Sequence, residues 1–155
     1  MMFRFLLLTY IFITASVFGQ GITFIDASQK QGLIFKHDHG GSGMKYYVET
    51  MGSGVCLLDY DNDGDLDIYF AQGASLPGWK GSKELINRLF QNNGGEWSDV
   101  TKKAGVGDPS YSIGCACGDV DNDGDIDLYV TNFGNDTFYR NEGNGTFFEA
   151  TQSAG

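Results

Sequence analysis

A seventeen-residue block, GVCLLDYDNDGDLDIYF from Gly54 to Phe70, returns sixty residues later and without a gap as GCACGDVDNDGDIDLYV, from Gly114 to Val130. A second block, LFQNNGGEWSDVTKKAG from Leu89 to Gly105, returns as FYRNEGNGTFFEATQSAG, from Phe138 to Gly155, with one residue added in the turn. A partial third copy lies upstream, where Phe24, Asp26, Ser28 and Gly32 match Trp97, Asp99, Thr101 and Gly105. Self-similarity on this scale marks a repeat architecture, in which each unit buries its faces only against its neighbours.

The unit reads as an aromatic strand ending in Asp-Val-Thr, a Gly, a strand leading into an acidic window, a strand leaving it, and a further strand that turns back. The segments Asp67-Ile-Tyr-Phe and Asp127-Leu-Tyr-Val are β-branched or aromatic, while Asn92-Asn-Gly-Gly and Asn141-Glu-Gly-Asn-Gly are hairpin-turn sequences. No segment has a convincing helical period. The expected fold class is therefore all-β: a partial β-propeller of roughly two four-stranded blades with cation-binding hairpin loops. Two units cannot close a ring and the last copy stops within the aromatic block, so the remaining blades are expected to be needed. Unit one carries two insertions, one around Pro77 to Gly81 and one from Phe35 to Gly54, both expected at the surface.

Charge concentrates in the acidic windows. Ten of the twenty acids lie there: Asp59, Asp61, Asp63, Asp65 and Asp67, then Asp119, Asp121, Asp123, Asp125 and Asp127. Counted from the first aspartate, positions 1, 3 and 5 are carboxylates that converge as the backbone curls. Gly64 and Gly124 at position 6 permit the bend, position 7 offers its carbonyl, and position 9 closes the shell. Oxygen ligands in that number select a hard cation, with Ca2+ favoured over Mg2+ by the loose geometry. Two Ca2+ sites are expected, independent of each other because they lie in separate blades. An EF-hand would need an acid at position 12, where this chain has Phe70 and Val130.

The formal charge of −10 argues against nucleic acid as a partner. Residues 1–19 read as a signal peptide, with Arg4 before an apolar run from Phe5 to Phe18 and cleavage before Gln20; the run falls short of the ~20 residues that span a bilayer. This predicts a secreted protein, extracellular or periplasmic, with no membrane span after cleavage and with residues 20–155 as the repeat region. Cys56, Cys115 and Cys117 imply no disulfide framework. Cys115 and Cys117 would share a strand face and are read as small buried residues in preference to a bridge to Cys56, and a CxC metal site would lack further ligands. His37-Asp38-His39 is read as structural, no catalytic residue is assigned, and an enzyme is not expected. Asn135-Asp-Thr and Asn144-Gly-Thr fit the glycosylation pattern.

DYDNDGDLDIYF and DVDNDGDIDLYV resemble the calcium loops of FG-GAP/VCBS repeats, the units of integrin-α-type β-propellers. The stretch from Phe24 to Gly54, with Phe35, His37, Gly40, Tyr46, Glu49 and Met51-Gly-Ser-Gly, is similar to the start of cartilage-acidic-protein-like (ASPIC/UnbV-type) secreted proteins. Two departures stand out: no Gly-Ala-Pro follows a Phe-Gly, and the C-terminal domain that names the ASPIC/UnbV group is not expected within residues 20–155, so no function of that domain is carried over. The resemblance implies a roughly seven-bladed propeller with Ca2+ in its hairpin loops, used for adhesion or for binding an extracellular protein or glycan. The competing expectation is the N-terminal part of a propeller enzyme, a polysaccharide lyase or hydrolase, with its catalytic groups in further blades or beside His37 and His39.

Overall fold

The acidic windows close hairpins. In the computed structural model, which describes residues 22–154, β1 (Val55–Leu58) pairs antiparallel with β2 (Asp67–Phe70), with Leu58 opposite Asp67. In the second copy β5 (Ser112–Gly118) pairs with β6 (Asp127–Asn132), with Gly118 opposite Asp127. Each window is thus the connection between two strands, and the aspartate at position 9 opens the second strand of each pair.

Each hairpin extends into a four-stranded antiparallel meander. β3 (Arg88–Asn93) and β4 (Glu96–Asp99) complete the first sheet, in the order β1-β2-β3-β4. β7 (Thr137–Asn141) and β8 (Phe147–Glu149) complete the second, in the order β5-β6-β7-β8. Asn93 faces Glu96 across a two-residue turn whose Gly94 and Gly95 have φ of 66° and 95°, a backbone that twists with the strands and that side chains resist. Four strands per unit are present as expected, but the aromatic strand, β4 or β8, closes each sheet instead of opening it.

After β4 and β8 the chain makes one helical turn, α1 (Thr101–Ala104) and α2 (Thr151–Ala154). These turns start where Asp99 and Glu149 accept from the backbone N–H of Thr101 and Thr151. Asp26 accepts from Ser28 in the same way, so the partial third copy keeps the turn. It forms no strand among the described residues, and its Phe24 is exposed.

The two sheets share one core. Leu58, Tyr60, Tyr69 and Leu89 of the first unit pack with Leu128, Val130, Tyr139 and Phe147 of the second, and Val100, Ala104 and Val106 of the connection join them. Stacked four-stranded sheets that bury side chains between them are the arrangement of neighbouring propeller blades. Away from the acidic loops the connection is polar. Asn87 donates to Ser112, Ser112 to Asn132, and Asn132 and Thr137 both donate to Asp108 Oδ2, a chain that satisfies buried groups at one edge of the interface.

The insertions pack on each other. Leu76 N–H donates to the Gly40 carbonyl at 3.1 Å, and the Tyr111 hydroxyl donates toward the carbonyls of His39 and Val48. Phe35 stacks on Phe70 with ring centres 4.4 Å apart. Much of this region is exposed, yet Gly40 and Val48 are buried. The reading of Cys115 and Cys117 as buried residues does not hold: Cys115, packed against the shared core, is half-buried, and Cys117, whose thiol is turned to the Leu57 carbonyl, is exposed. The signal-peptide reading falls on residues outside those described. Among the described residues no helix is long and apolar enough to cross a membrane.

Candidate metal centres

Both acidic loops fold the same way. Asp59 turns its carboxylate back into its own loop, where Oδ1 accepts from Asp63 N–H at 3.1 Å and Oδ2 from Gly64 N–H at 3.0 Å. Asp119 accepts from Asp123 and Gly124 at the same distances. Asp63 and Asp123 each accept from the N–H two residues on, at 2.9 Å. Asn62 and Asn122, with φ of 58° and 61°, reverse the chain in the left-handed region, which asparagine tolerates.

The aspartate at position 9 ties each loop to its sheet. Asp67 is buried and accepts from Tyr60 N–H at 3.0 Å and Asn92 N–H at 2.8 Å; Asp127, also buried, accepts from Val120 at 2.9 Å and Asn141 at 2.8 Å. Burial raises the Asp67 pKa to about 6. Its folded value lies above the unfolded one, so the metal-free fold is favoured by this group at low pH and loses that contribution as pH rises through about 6.

Three carboxylates converge in each loop. One oxygen each from Asp59, Asp61 and Asp67 lie within 4.8 Å of one another, and so do those of Asp119, Asp121 and Asp127. Charges about 4 Å apart repel by ~4 kcal/mol at an effective dielectric of ~20. Asp61 is accordingly held above the ordinary carboxylate range, by burial first and then by Asp63 and Asp59. Asp121 is raised as well, by desolvation within its loop and by Asp123 and Asp127. Asp61 Oδ2 accepts from Gln91 Nε2 at 2.6 Å, while Oδ1 is buried and has no hydrogen-bond partner. A buried, charged oxygen with nothing to accept from is the atom a cation would complete, and an all-oxygen donor set fits a hard divalent ion.

Of the ten aspartates singled out from sequence, six form the two triads. Asp63 and Asp123 brace the turn. Asp65 accepts from Gly94 N–H at 3.3 Å, and Asp125 accepts from Asn62 Nδ2 at 2.6 Å. That last bond joins the first loop to the second across the interface between sheets, a contact that the expectation of independent loops did not include. The supporting residues Gln91, Asn92 and Asn141 were not singled out from sequence. Their signal was present in the second repeated block, where Asn92 and Asn141 are identical and Gln91 aligns with Arg140. Arg140 instead pairs with Glu142 at 2.8 Å. His37 and His39 are exposed, and His39 Nδ1 accepts from Gly41 N–H. Neither histidine joins a metal-ligand cluster among the described residues.

A family model described as an FG-GAP-like repeat matches residues 59–130 and again 119–155. Each match begins on the first aspartate of an acidic loop. No curated protein matches the chain.

Proposed function

Because this chain belongs to the FG-GAP-like repeat family, we propose that it is a secreted calcium-binding β-propeller module in which Ca2+ has a structural role. The single observation that carries the reading is the buried, unpartnered Asp61 Oδ1 inside the Asp59–Asp61–Asp67 triad, with the same triad repeated at Asp119, Asp121 and Asp127. Calcium would supply the positive charge that offsets carboxylate repulsion at the tip of each hairpin. The chain's own part is to hold the ligands: backbone N–H groups orient Asp59 and Asp119, and strand residues anchor Asp67 and Asp127.

The partner is proposed to be an extracellular protein or glycan, and the role adhesive. In support, the two insertions border an apolar recess of about 540 Å3 lined by Tyr47, Val48, Met51, Leu76, Ile113 and Phe133. Tyr47 and Phe133 are large and exposed there, and exposed apolar patches commonly mark interaction surfaces. Trp79 stands in the other inserted loop, next to Leu76 and Pro77 of this recess.

Thermal melts and calorimetric titration at pH 7.5, where Asp67 is charged, test the metal reading. Calcium in excess should raise the melting temperature and EGTA should reverse the rise, since a ligand at ~100 times its Kd stabilises by ~2.7 kcal/mol per site. A melting temperature indifferent to both, with no heat of binding, would defeat it.

A further inference from the structure

Three thiols meet where the two sheets touch. A Cβ added to Gly54 would lie 2.8 Å from Gly114 Cα and 3.0 Å from Cys115 N, and three residues further along the Cys117 thiol donates to the Leu57 carbonyl at 3.2 Å. β1 and β5 therefore run side by side in the same direction, in the register set by the sixty-residue repeat. In that register Cys56 lies level with Ala116, between Cys115 and Cys117. Alternation along a strand puts Cys115 and Cys117 on one face, turned toward β1, while Cys56 and Leu58 share the β1 face that is buried in the common core. Cys56 belongs to the shared core and Cys115 packs against that core, whereas the Cys117 thiol is turned to the Leu57 carbonyl. The repeat itself makes this cluster possible, since Cys56 meets the pair on β5 only because β1 and β5 lie in register.

We propose that Cys56 and Cys115 form a disulfide that staples the two blades together when the chain meets a low-molecular-weight disulfide oxidant, leaving Cys117 as a free thiol. In the exchange, the Cys115 thiolate attacks one sulfur of the oxidant and expels one thiolate. The Cys56 thiolate then attacks Cys115 sulfur and expels the second. One protein disulfide forms, the oxidant is reduced to two thiols, and the two cysteine protons end on the leaving groups. The roles follow the local environment. Cys115 is half-buried, where an oxidant can reach it, while Cys56 is enclosed in the core against which Cys115 packs. In keeping with this, the contact between them holds the Cys115 thiol below its ordinary range, and the same contact and then burial push Cys56 up. Cys115 is thus the nucleophile and Cys56 the resolving thiol.

The folded chain, incubated with oxidised glutathione, should lose two of its three thiols as counted by Ellman's reagent in denaturant. It should remain monomeric on a non-reducing gel, and its intact mass should fall by two hydrogens and be restored by dithiothreitol. Cys117→Ser should still lose both of its thiols, and Cys115→Ser should keep both under the same conditions. A wild-type count that stays at three would overturn the proposal. So would thiols lost only as interchain dimers or glutathione adducts, or a Cys115→Ser chain that cross-links as fast as wild type. The wild-type count needs no variant, and none of these readouts depends on calcium.

Discussion

Tyr60 and Val120 hold the same position in the two acidic loops, yet Tyr60 is 0% exposed and Val120 is 71% exposed. Tyr60 lies between the sheets, stacked near Phe147 with ring centres 6.4 Å apart, and its backbone carbonyl accepts from Asn141 Nδ2 at 2.9 Å. Val120 lies on the face of the second sheet turned away from the first. The pair Leu66 and Ile126 reverses the pattern, with Leu66 exposed and Ile126 packed against the shared core. One local fold thus presents two faces, and a residue is buried or bare according to whether its unit's neighbour lies on that side. A repeat conserves the loop's internal hydrogen bonds and leaves the flanking side chains to match different surroundings.

Substitution at position 2 of each loop tests this contrast most severely. Tyr60→Ala should lower stability by ~3–5 kcal/mol through the cavity left between sheets, whereas Val120→Ala should stay within ~0.5 kcal/mol. Equilibrium denaturation in urea at fixed calcium measures both, and equal losses would break the comparison. Tyr60→Phe sharpens it. The Tyr60 hydroxyl is buried without a partner, and burial followed by the charge of Asp61 raises its pKa to about 12, so Phe should fold at least as stably.

A smaller difference is expected between the paired asparagines. Asn141 is buried and its Nδ2 donates both to Tyr60 across the interface and to Ile126 of its own unit's loop, while the Nδ2 of half-buried Asn92 donates only to Leu66. Asn141→Ala should cost ~2 kcal/mol and Asn92→Ala ~1 kcal/mol, read from the same denaturation curves. The smallest effect concerns the bond between loops. Asn62→Gly keeps a residue that accepts positive φ but removes the donor to Asp125, so calorimetry should show calcium affinity at the second loop weakened two- to five-fold, or about 0.5–1 kcal/mol. Asn122→Gly should leave the first loop's affinity unchanged, and a symmetrical result would mean that the loops communicate by another route.

Much of the fold was legible before any coordinates. The acidic windows close hairpins, the Gly-Gly turn joins β3 to β4, and the four-strand unit recurs, because strand alternation and turn chemistry act over a few residues. The order of strands within a unit was not legible. A repeated sequence can be cut at any phase, and only the pairing of Phe90 with Asp99 shows that the aromatic strand closes its sheet. The upstream copy kept its Asp26–Ser28 turn, which needs no neighbour, but not a strand, which does.

At the candidate site, the ten aspartates were visible as charge, and their spacing indicated which backbone curl they make. Spacing did not distinguish the six that converge from the four that brace the loop or its surroundings, since that depends on where the strands carry each carboxylate. Gln91, Asn92 and Asn141 are distant in sequence from the aspartates they support, and only hairpin closure brings them there.

By itself the sequence determined a repeated β-hairpin unit with an acidic tip, because the curl of the tip and the pairing that closes it, Leu58 with Asp67 and Gly118 with Asp127, involve residues close in sequence. The tertiary structure alone decided that Tyr60 is buried and Val120 is not, that Asn62 reaches Asp125, and that Cys56 lies level with the segment from Cys115 to Cys117. Those outcomes depend on how one sheet stacks on the next, a register set by long-range packing that no local pattern encodes.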